Sequence, residues 1–385
     1  MDYALMHDDL SSCKTAEYTV QPKLKRWFGC TGAAFILYAC FCLILAFAGY
    51  RRPLPTFDRY LYAGAVASLR YRDPTTIHNV ARGETDEQQP PFNYAAVASE
   101  PYFADVRDNP QHFAEQLGLF RVKLGYIATG YLLWRMGLPI LSSLRLITTF
   151  AFIVIGLTLL SWTQEPCLAA LLLLIAPVLN MSRMVTADPL STAATFLAMY
   201  FLTNDRNLLA ANLLLLSVVV RIDNLLLVIP FLIWMVLRKR LKLTITSAYV
   251  AMSIATALFI SWIARIYQWR VVLQHGFIKP VIEPVTHPVQ ISISGYLFAL
   301  TELRAIPYTS LIMWLLVMAV AWKILPSCSI FSELLPLTII CVLIRLVFFP
   351  NPDDRFFVWA YLLAGSALIQ ATHFGASINS EKHLA

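Results

Sequence analysis

Charge is scarce in this chain of 385 residues: Asp, Glu, Lys and Arg together make up 14% of it. Soluble domains carry about 25%, so an ordinary water-soluble globule is excluded. Glycine is sparse too, at 14 residues, which excludes a collagen-like fibre. The seven cysteines (positions 13, 30, 40, 42, 167, 328 and 341) form no CxxC pair and no zinc-ligand spacing. They imply neither a disulfide framework nor a metal motif. No tandem repeat is visible. What the chain does have is apolar residues, 58% of the total, which excludes disorder and indicates a polytopic membrane protein. The net charge of +7 would suit a nucleic-acid partner if it covered one face. Its main concentration is instead a single cluster, Arg238-Lys239-Arg240-Leu241-Lys242, so no nucleic acid is expected.

A helix rises about 1.5 Å per residue, so a hydrocarbon core of about 30 Å takes roughly 20 apolar residues. Thr31 to Gly49 meets that requirement, after a polar tail ending in Lys23, Lys25 and Arg26 that sets the N-terminus in the cytoplasm. Ala46-Phe47-Ala48 looks like a cleavage site, but the tail is long and the apolar run exceeds the usual ~7–15 residues of a signal peptide. An uncleaved anchor is expected. Further apolar segments lie at 143–162, 167–181, 189–203, 208–220, 224–237, 243–264, 305–322, 329–349 and 356–372. The stretch 120–138, with Arg121, Lys123 and Arg135 around Tyr126, Tyr131 and Trp134, reads as a helix lying in the interface. Ten spans place the Arg238–Lys242 cluster, Arg206 and Lys323 in the cytoplasm. Counting 120–138 as a crossing, or fusing 208–237, would turn that cluster outward against the positive-inside rule.

The expected fold is therefore all-α and polytopic, with about ten transmembrane helices and interfacial helices in the first extracytoplasmic loop. A cytoplasmic tail covers 1–28, the first span 29–49 and the first extracytoplasmic loop 50–142. A transmembrane module covers 143–264, an extracytoplasmic loop 265–304, the C-terminal spans 305–372 and a second cytoplasmic tail 373–385. Compact size and the lack of an obvious retention signal point to a bacterial inner (plasma) membrane. Segments 189–203 and 224–237 would reach only roughly 21–23 Å. Such short segments are tolerated where they line a protein-buried or water-filled cavity, so a hollow is expected on the outer side.

On this topology the acidic groups nearest the membrane share one face. Asp58 lies in the first loop, Asp188 and Asp223 each precede a short apolar helix, and Asp353 and Asp354 precede the last span. Each connection has an arginine beside or near it: Arg59, Arg183, Arg221 and Arg355, with Arg345 inside the ninth span near its outer end. A charge at this depth costs about 2.5–3.5 kcal/mol and is usually paired or functional. The plainer readings are helix caps for Asp188, Asp223 and Asp58, and a rim salt bridge between Asp353 and Arg355. Arginine binds phosphate oxygens bidentately and keeps its charge when partly buried. One carboxylate could then take the proton of an acceptor attacking an activated sugar carbon. A phosphate leaving group needs no separate acid.

The layout resembles the GT-C fold glycosyltransferases, the polytopic class that includes protein O-mannosyltransferases and lipid A aminoarabinose transferases. Four stretches carry the resemblance: Asp58-Arg59-Tyr60-Leu61-Tyr62, Leu144-Arg145-Leu146, Ala187-Asp188-Pro189-Leu190 and Arg221-Ile222-Asp223-Asn224. It covers about residues 30–240 well and the remainder loosely, which makes 143–264 a GT-C-like module. The resemblance implies transfer of a sugar from a polyprenyl-phosphate-linked donor to a glycan, lipid or protein acceptor at the outer face of the lipid membrane. It makes Asp58 the general base and has Asp188 shape the site. Arg221, Arg345 and Arg355 are the candidates for the donor phosphate by position and chemistry, with Arg59, Tyr60, Tyr62, Asp223, Asp353 and Asp354 in support. Many relatives carry an acidic residue directly after the loop-one aspartate, where this chain has Arg59. The large C-terminal soluble domain of many relatives is likewise not expected from residues 373–385, read as a short tail.

The loop 265–304 holds His275, Glu283 and His287 among Pro280, Pro284 and Pro288. These are suitable ligands for a divalent metal, which some members of the class hold, but their spacing matches no standard motif and an ordinary polar loop is expected. Two other functions stay open: a polysaccharide polymerase using lipid-linked repeat units, and a transporter or lipid flippase without covalent chemistry. Against the last stand the charges at one face rather than the midplane, and the absence of an inverted repeat.

Overall fold

The computed structural model describes residues 30–88, 101–264, 269–275, 281–287, 292–302, 308–326, 329–349, 351 and 353–382. The expected N-terminal tail, Cys13 and Cys328 lie outside the described residues. All regular structure among the described residues is helical, and no strand occurs there.

The chain opens with α1 (Cys30–Arg51) and then a set of shorter helices: α2 (Asp58–Ala67), α3 (Pro74–Gln88), α4 (Pro101–Asp108), α5 (Pro110–Arg121) and α6 (Leu124–Arg135). The bundle follows as α7 (Ile140–Thr163), α8 (Pro166–Leu174), α9 (Ala176–Met181), α10 (Asp188–Thr203), α11 (Asn207–Val220), α12 (Leu225–Leu237) and α13 (Leu243–Ala264). Short helices α14 (Trp269–Leu273) and α15 (Ile293–Glu302) lie in the second loop, before α16 (Thr309–Ile324), α17 (Phe331–Phe348) and α18 (Val358–Lys382).

Among the described residues four helices are long and apolar enough to cross a membrane: Gly32–Arg51 within α1, α7, α13 and α17. Asn207–Val220, Ile222–Leu237, Thr309–Ile324 and Val358–Thr372 are apolar but shorter. Helix α10 has 16 residues, confirming that the segment after Asp188 is short. Two expected segments are broken. The apolar run 167–181 is two helices, because Ile175 is extended (ψ 128°) and Pro177 sits in the first turn of α9. A proline donates no N–H and clashes with the preceding turn, so it starts a helix more readily than it continues one. The interfacial segment 120–138 is likewise not one helix. α5 ends at Arg121, Lys123 leaves helical geometry (φ −96°, ψ 52°), and α6 starts at Leu124.

Two cores result. The larger lies in the bundle, where α10 packs against α7 and α11 around Phe196, Met199, Phe152 and Phe231. The smaller joins the short helices α2–α6 to the N-terminal end of α7 through Val66, Phe113, Leu117, Tyr126 and Leu144. Gly64 lies against the Phe113 ring, so α2 meets α5 where no side chain would fit. Gly156 lets Cys42 of α1 sit against the α7 backbone, and the Tyr38 hydroxyl donates to Gly156 O at 2.8 Å. Outward, α1 and α13 expose Ile36, Leu37, Ile44, Phe47, Leu258, Phe259 and Trp262.

Candidate functional site

The charged residues converge where the short helices α2–α6 meet one end of the bundle helices. α2 opens on Asp58, yet no side-chain cap bond is made there; the residue before it, Phe57, is the N-cap. The carboxylate turns instead to the connection before α18: Arg355 Nη1 donates to Asp58 Oδ2 at 2.9 Å. Arg355 Nε is 2.9 Å from Asp353 Oδ2 and 4.0 Å from Asp188 Oδ2. Asp353 also accepts the backbone N–H of Arg355 at 3.1 Å, which fixes the turn 354–356. One guanidinium thus meets carboxylates from three separate connections. Burial opposes its charge, but Asp58 and Asp353 more than offset that and hold its proton more tightly than usual.

Asp188 is buried at 4% exposure and, like Asp58, makes no capping bond. Its Oδ2 accepts the Thr186 hydroxyl at 2.8 Å, and its Oδ1 is ion-paired with Arg221 Nη1. Arg221 is extended (φ −147°, ψ 112°) where α11 stops, and its guanidinium also grips Asp223 through Nε at 3.0 Å and Nη2 at 2.9 Å. Arg345, from α17, pairs with the same Asp223 Oδ2 at 2.5 Å. Burial disfavours the Asp223 charge, but Arg221 and Arg345 outweigh it and hold this carboxyl well below the usual range. The cap readings for Asp58 and Asp188 are therefore replaced by ion pairs.

Phe356 organises the cations. The guanidinium carbons of Arg221, Arg345 and Arg355 lie 4.7, 4.8 and 4.9 Å from its ring centroid. Three like charges share this ring only because Asp58, Asp188, Asp223 and Asp353 are interleaved with them. Asp354 is turned to α18 and accepts the Tyr361 hydroxyl at 2.8 Å.

Of the residues flanking Asp58, Tyr62 shares its face one turn on. Its ring packs edge-on against Phe120 and Tyr126 at 5.0 and 5.2 Å, and burial, with Asp58 adding, pushes its hydroxyl pKa up. Tyr60 faces Phe57, His78 and Phe113 in the smaller core. Arg59 is 2% exposed and neighbours Arg145 rather than the cluster. Arg183 donates to Arg52 O at 3.0 Å and ties the end of α1. The structure thus brings Asp58, Asp188, Asp223, Asp353, Arg221, Arg345 and Arg355 together, while the contacts described for Tyr60 and Arg183 lie with the smaller core and the end of α1.

Lys123 was read only as a flanking charge. Its Nζ donates to Leu119 O at 2.5 Å and sits 5.1 Å from the Phe120 ring centroid. Burial, with Arg221 adding repulsion against the pull of Asp223 and Asp58, brings its pKa down to about 8. It has no carboxylate partner among the described residues. One signal was available: Lys123 is the single lysine among the basic residues of 50–142. Thr186 and Phe356 carried no comparable signal.

His275 borders the same site. Its Nδ1 accepts the Val281 N–H at 3.2 Å and its Nε2 is 3.3 Å from the Tyr102 hydroxyl, which donates to Gln116 Oε1 at 3.0 Å. Burial pushes the imidazole pKa down to about 4. Glu283 contacts His112 at 3.3 Å and His287 at 2.5 Å. The structure therefore does not join His275, Glu283 and His287 into one ligand set, and no group of metal-holding His, Cys, Asp and Glu occurs among the described residues. These residues clasp the second loop to α5 instead, where Glu115 also accepts from Thr286 Oγ1 at 2.6 Å.

No protein-family model, curated protein or solved structure matches the chain.

Proposed function

We propose that the chain is a polytopic membrane glycosyltransferase of GT-C type, transferring a sugar from a polyprenyl-phosphate-linked donor at the outer face of the membrane. The observation that carries this reading is the state of Asp58. One carboxylate oxygen is fixed by Arg355 at 2.9 Å, while Oδ1 makes no hydrogen bond or ion pair among the described residues. A half-held carboxylate of this kind is a positioned base. The acceptor proton passes to Oδ1 as the acceptor atom forms its bond to the anomeric carbon. The bond from that carbon to the phosphate oxygen breaks, and the lipid phosphate leaves with the electron pair. Lys123 supports the same reading: its ammonium has no carboxylate partner among the described residues, so it offers its charge to the phosphate. Arg355 faces the same charge, while Arg221 and Arg345, both bound to Asp223, form the frame behind.

The apolar surfaces of α1 and α13 support insertion in a lipid bilayer; the charge pattern supports cytoplasmic termini, and the bacterial plasma membrane is proposed from the sequence reading of size and signals alone. Membranes containing the chain, given a labelled polyprenyl-phosphate monosaccharide, should move that single sugar to an acceptor. A polymerase would require lipid-linked repeat units, and a flippase would yield no covalent product. Absence of transfer from every lipid-phosphate monosaccharide tried would remove this reading.

A further inference from the structure

We propose that the outer end of the seam between α1 and α7 binds the phosphate headgroup of a membrane phospholipid, with Arg145 as its anchor. Arg145 lies on the second turn of α7. Its Nε and Nη2 are buried and have no hydrogen-bond partner. Its electrostatic neighbours are Arg59, a like charge that is itself 2% exposed, and Tyr50 at the end of α1. Glu84 of α3 reaches the same end of α7, but it accepts from the Leu141 N–H at 3.3 Å. Two guanidinium nitrogens of a half-buried arginine, taken out of water beside a second arginine and themselves without an acceptor among the described residues, are a costly arrangement unless an anion completes it. Phosphate is the anion whose oxygens match its fork.

The surroundings specify a lipid source. α1 and α7 cross at Cys42 and Gly156. Tyr50 lies about 12 Å along α1 from that crossing and Arg145 about 16 Å along α7, so both stand near the outer end of the seam. On either side the helices expose Leu43, Ile44 and Phe47, and Leu146 and Phe150. Acyl chains would cover those side chains while the headgroup meets Arg145, entering by the Nη1 edge, which is not among the buried atoms. This site rests on the membrane reading but not on sugar transfer.

The test uses the full chain in a non-ionic detergent, titrated with dioctanoyl-phosphatidylglycerol and followed by thermal unfolding. Saturable stabilisation is expected, with the midpoint moved about tenfold or more to higher lipid in Arg145→Gln, as for loss of one charge-assisted bidentate contact. Inorganic phosphate alone and dioctanoylglycerol alone should leave Tm unchanged. An identical titration in Arg145→Gln overturns the site, and an equal shift with inorganic phosphate overturns the lipid as its source. Native mass spectrometry of the unaltered chain needs no variant at Arg145. One retained phospholipid, with lower occupancy in Phe150→Ser, supports the proposal, and a chain that carries none overturns it. Sugar transfer is not read in any arm, so its failure would be seen separately.

Discussion

Arg355 holds Asp58 from 297 positions away in sequence, donating to Oδ2 at 2.9 Å while Oδ1 has no partner among the described residues. The pair divides the work of a base: one oxygen fixes orientation and the other takes the proton. Asp58→Asn keeps the shape and loses the basicity. It should lower sugar transfer by roughly 10²–10⁴-fold, the usual contribution of general-base catalysis. Expression and thermal stability in detergent should stay near those of the unaltered chain. Full turnover in Asp58→Asn would reassign the base.

Lys123 gives the pH dependence a sign. With its pKa near 8, the ammonium is charged at neutral pH and discharges as pH rises further. If it holds the donor phosphate, kcat/KM should fall through a limb near pH 8. Lys123→Met should remove that limb and raise KM for the donor by roughly 10–100-fold, the worth of one hydrogen bond to a charged group. Stability should move the other way. A lysine whose pKa is depressed by folding binds fewer protons folded than unfolded between about pH 8 and 10.5, so its contribution becomes more favourable as pH rises there. A profile whose limb survives in Lys123→Met would assign it to another group.

Much of this site was legible because sidedness is a sequence property. The charge pattern puts Asp58, Asp188, Asp223 and Asp353 on one expected face, opposite Arg238–Lys242, and in the structure ion pairs join these four carboxylates through Arg221, Arg345 and Arg355. Helix ends were legible at Asp188-Pro189 for the same local reason that Pro starts helices. Two kinds of feature were not. Breaks such as Lys123 follow from tertiary contacts, since no Gly or Pro marks that position. The partners of a side chain within one short helix also escaped: Asp58 and Tyr62 face the cluster, whereas Arg59 and Tyr60, between them, face away. Adjacent letters on a helix point in different directions, and nothing in the string says which direction is inward.

The Asp188–Arg221 pair couples two helix hairpins and is buried on both sides, with side chains 5% and 11% exposed. Removing one partner strands the other charge, at a cost of about 3–5 kcal/mol. Asp188→Asn and Arg221→Gln should each lower stability markedly in detergent. The double variant should lose less than the sum of the two, with a coupling of about 0.5–3 kcal/mol. Strict additivity would mean that the two charges are satisfied independently, Arg221 by Asp223 alone.

Phe356 offers the sharpest separation of packing from charge organisation. Its ring has three guanidinium carbons within 4.9 Å of the centroid, and each such contact is worth about 0.5–2 kcal/mol depending on how dry it is. Leucine would fill much of the same volume without the negative face that draws the cations inward. Phe356→Leu should therefore leave the chain folded but let Arg221, Arg345 and Arg355 spread, with KM for the donor rising roughly tenfold for a loss near 1.4 kcal/mol. Phe356→Tyr keeps the face and should restore most of that loss. If the leucine variant binds donor as well as the unaltered chain, the carboxylates alone set the arginine positions. If the tyrosine variant fails with it, the constraint is the size of the slot and not the ring.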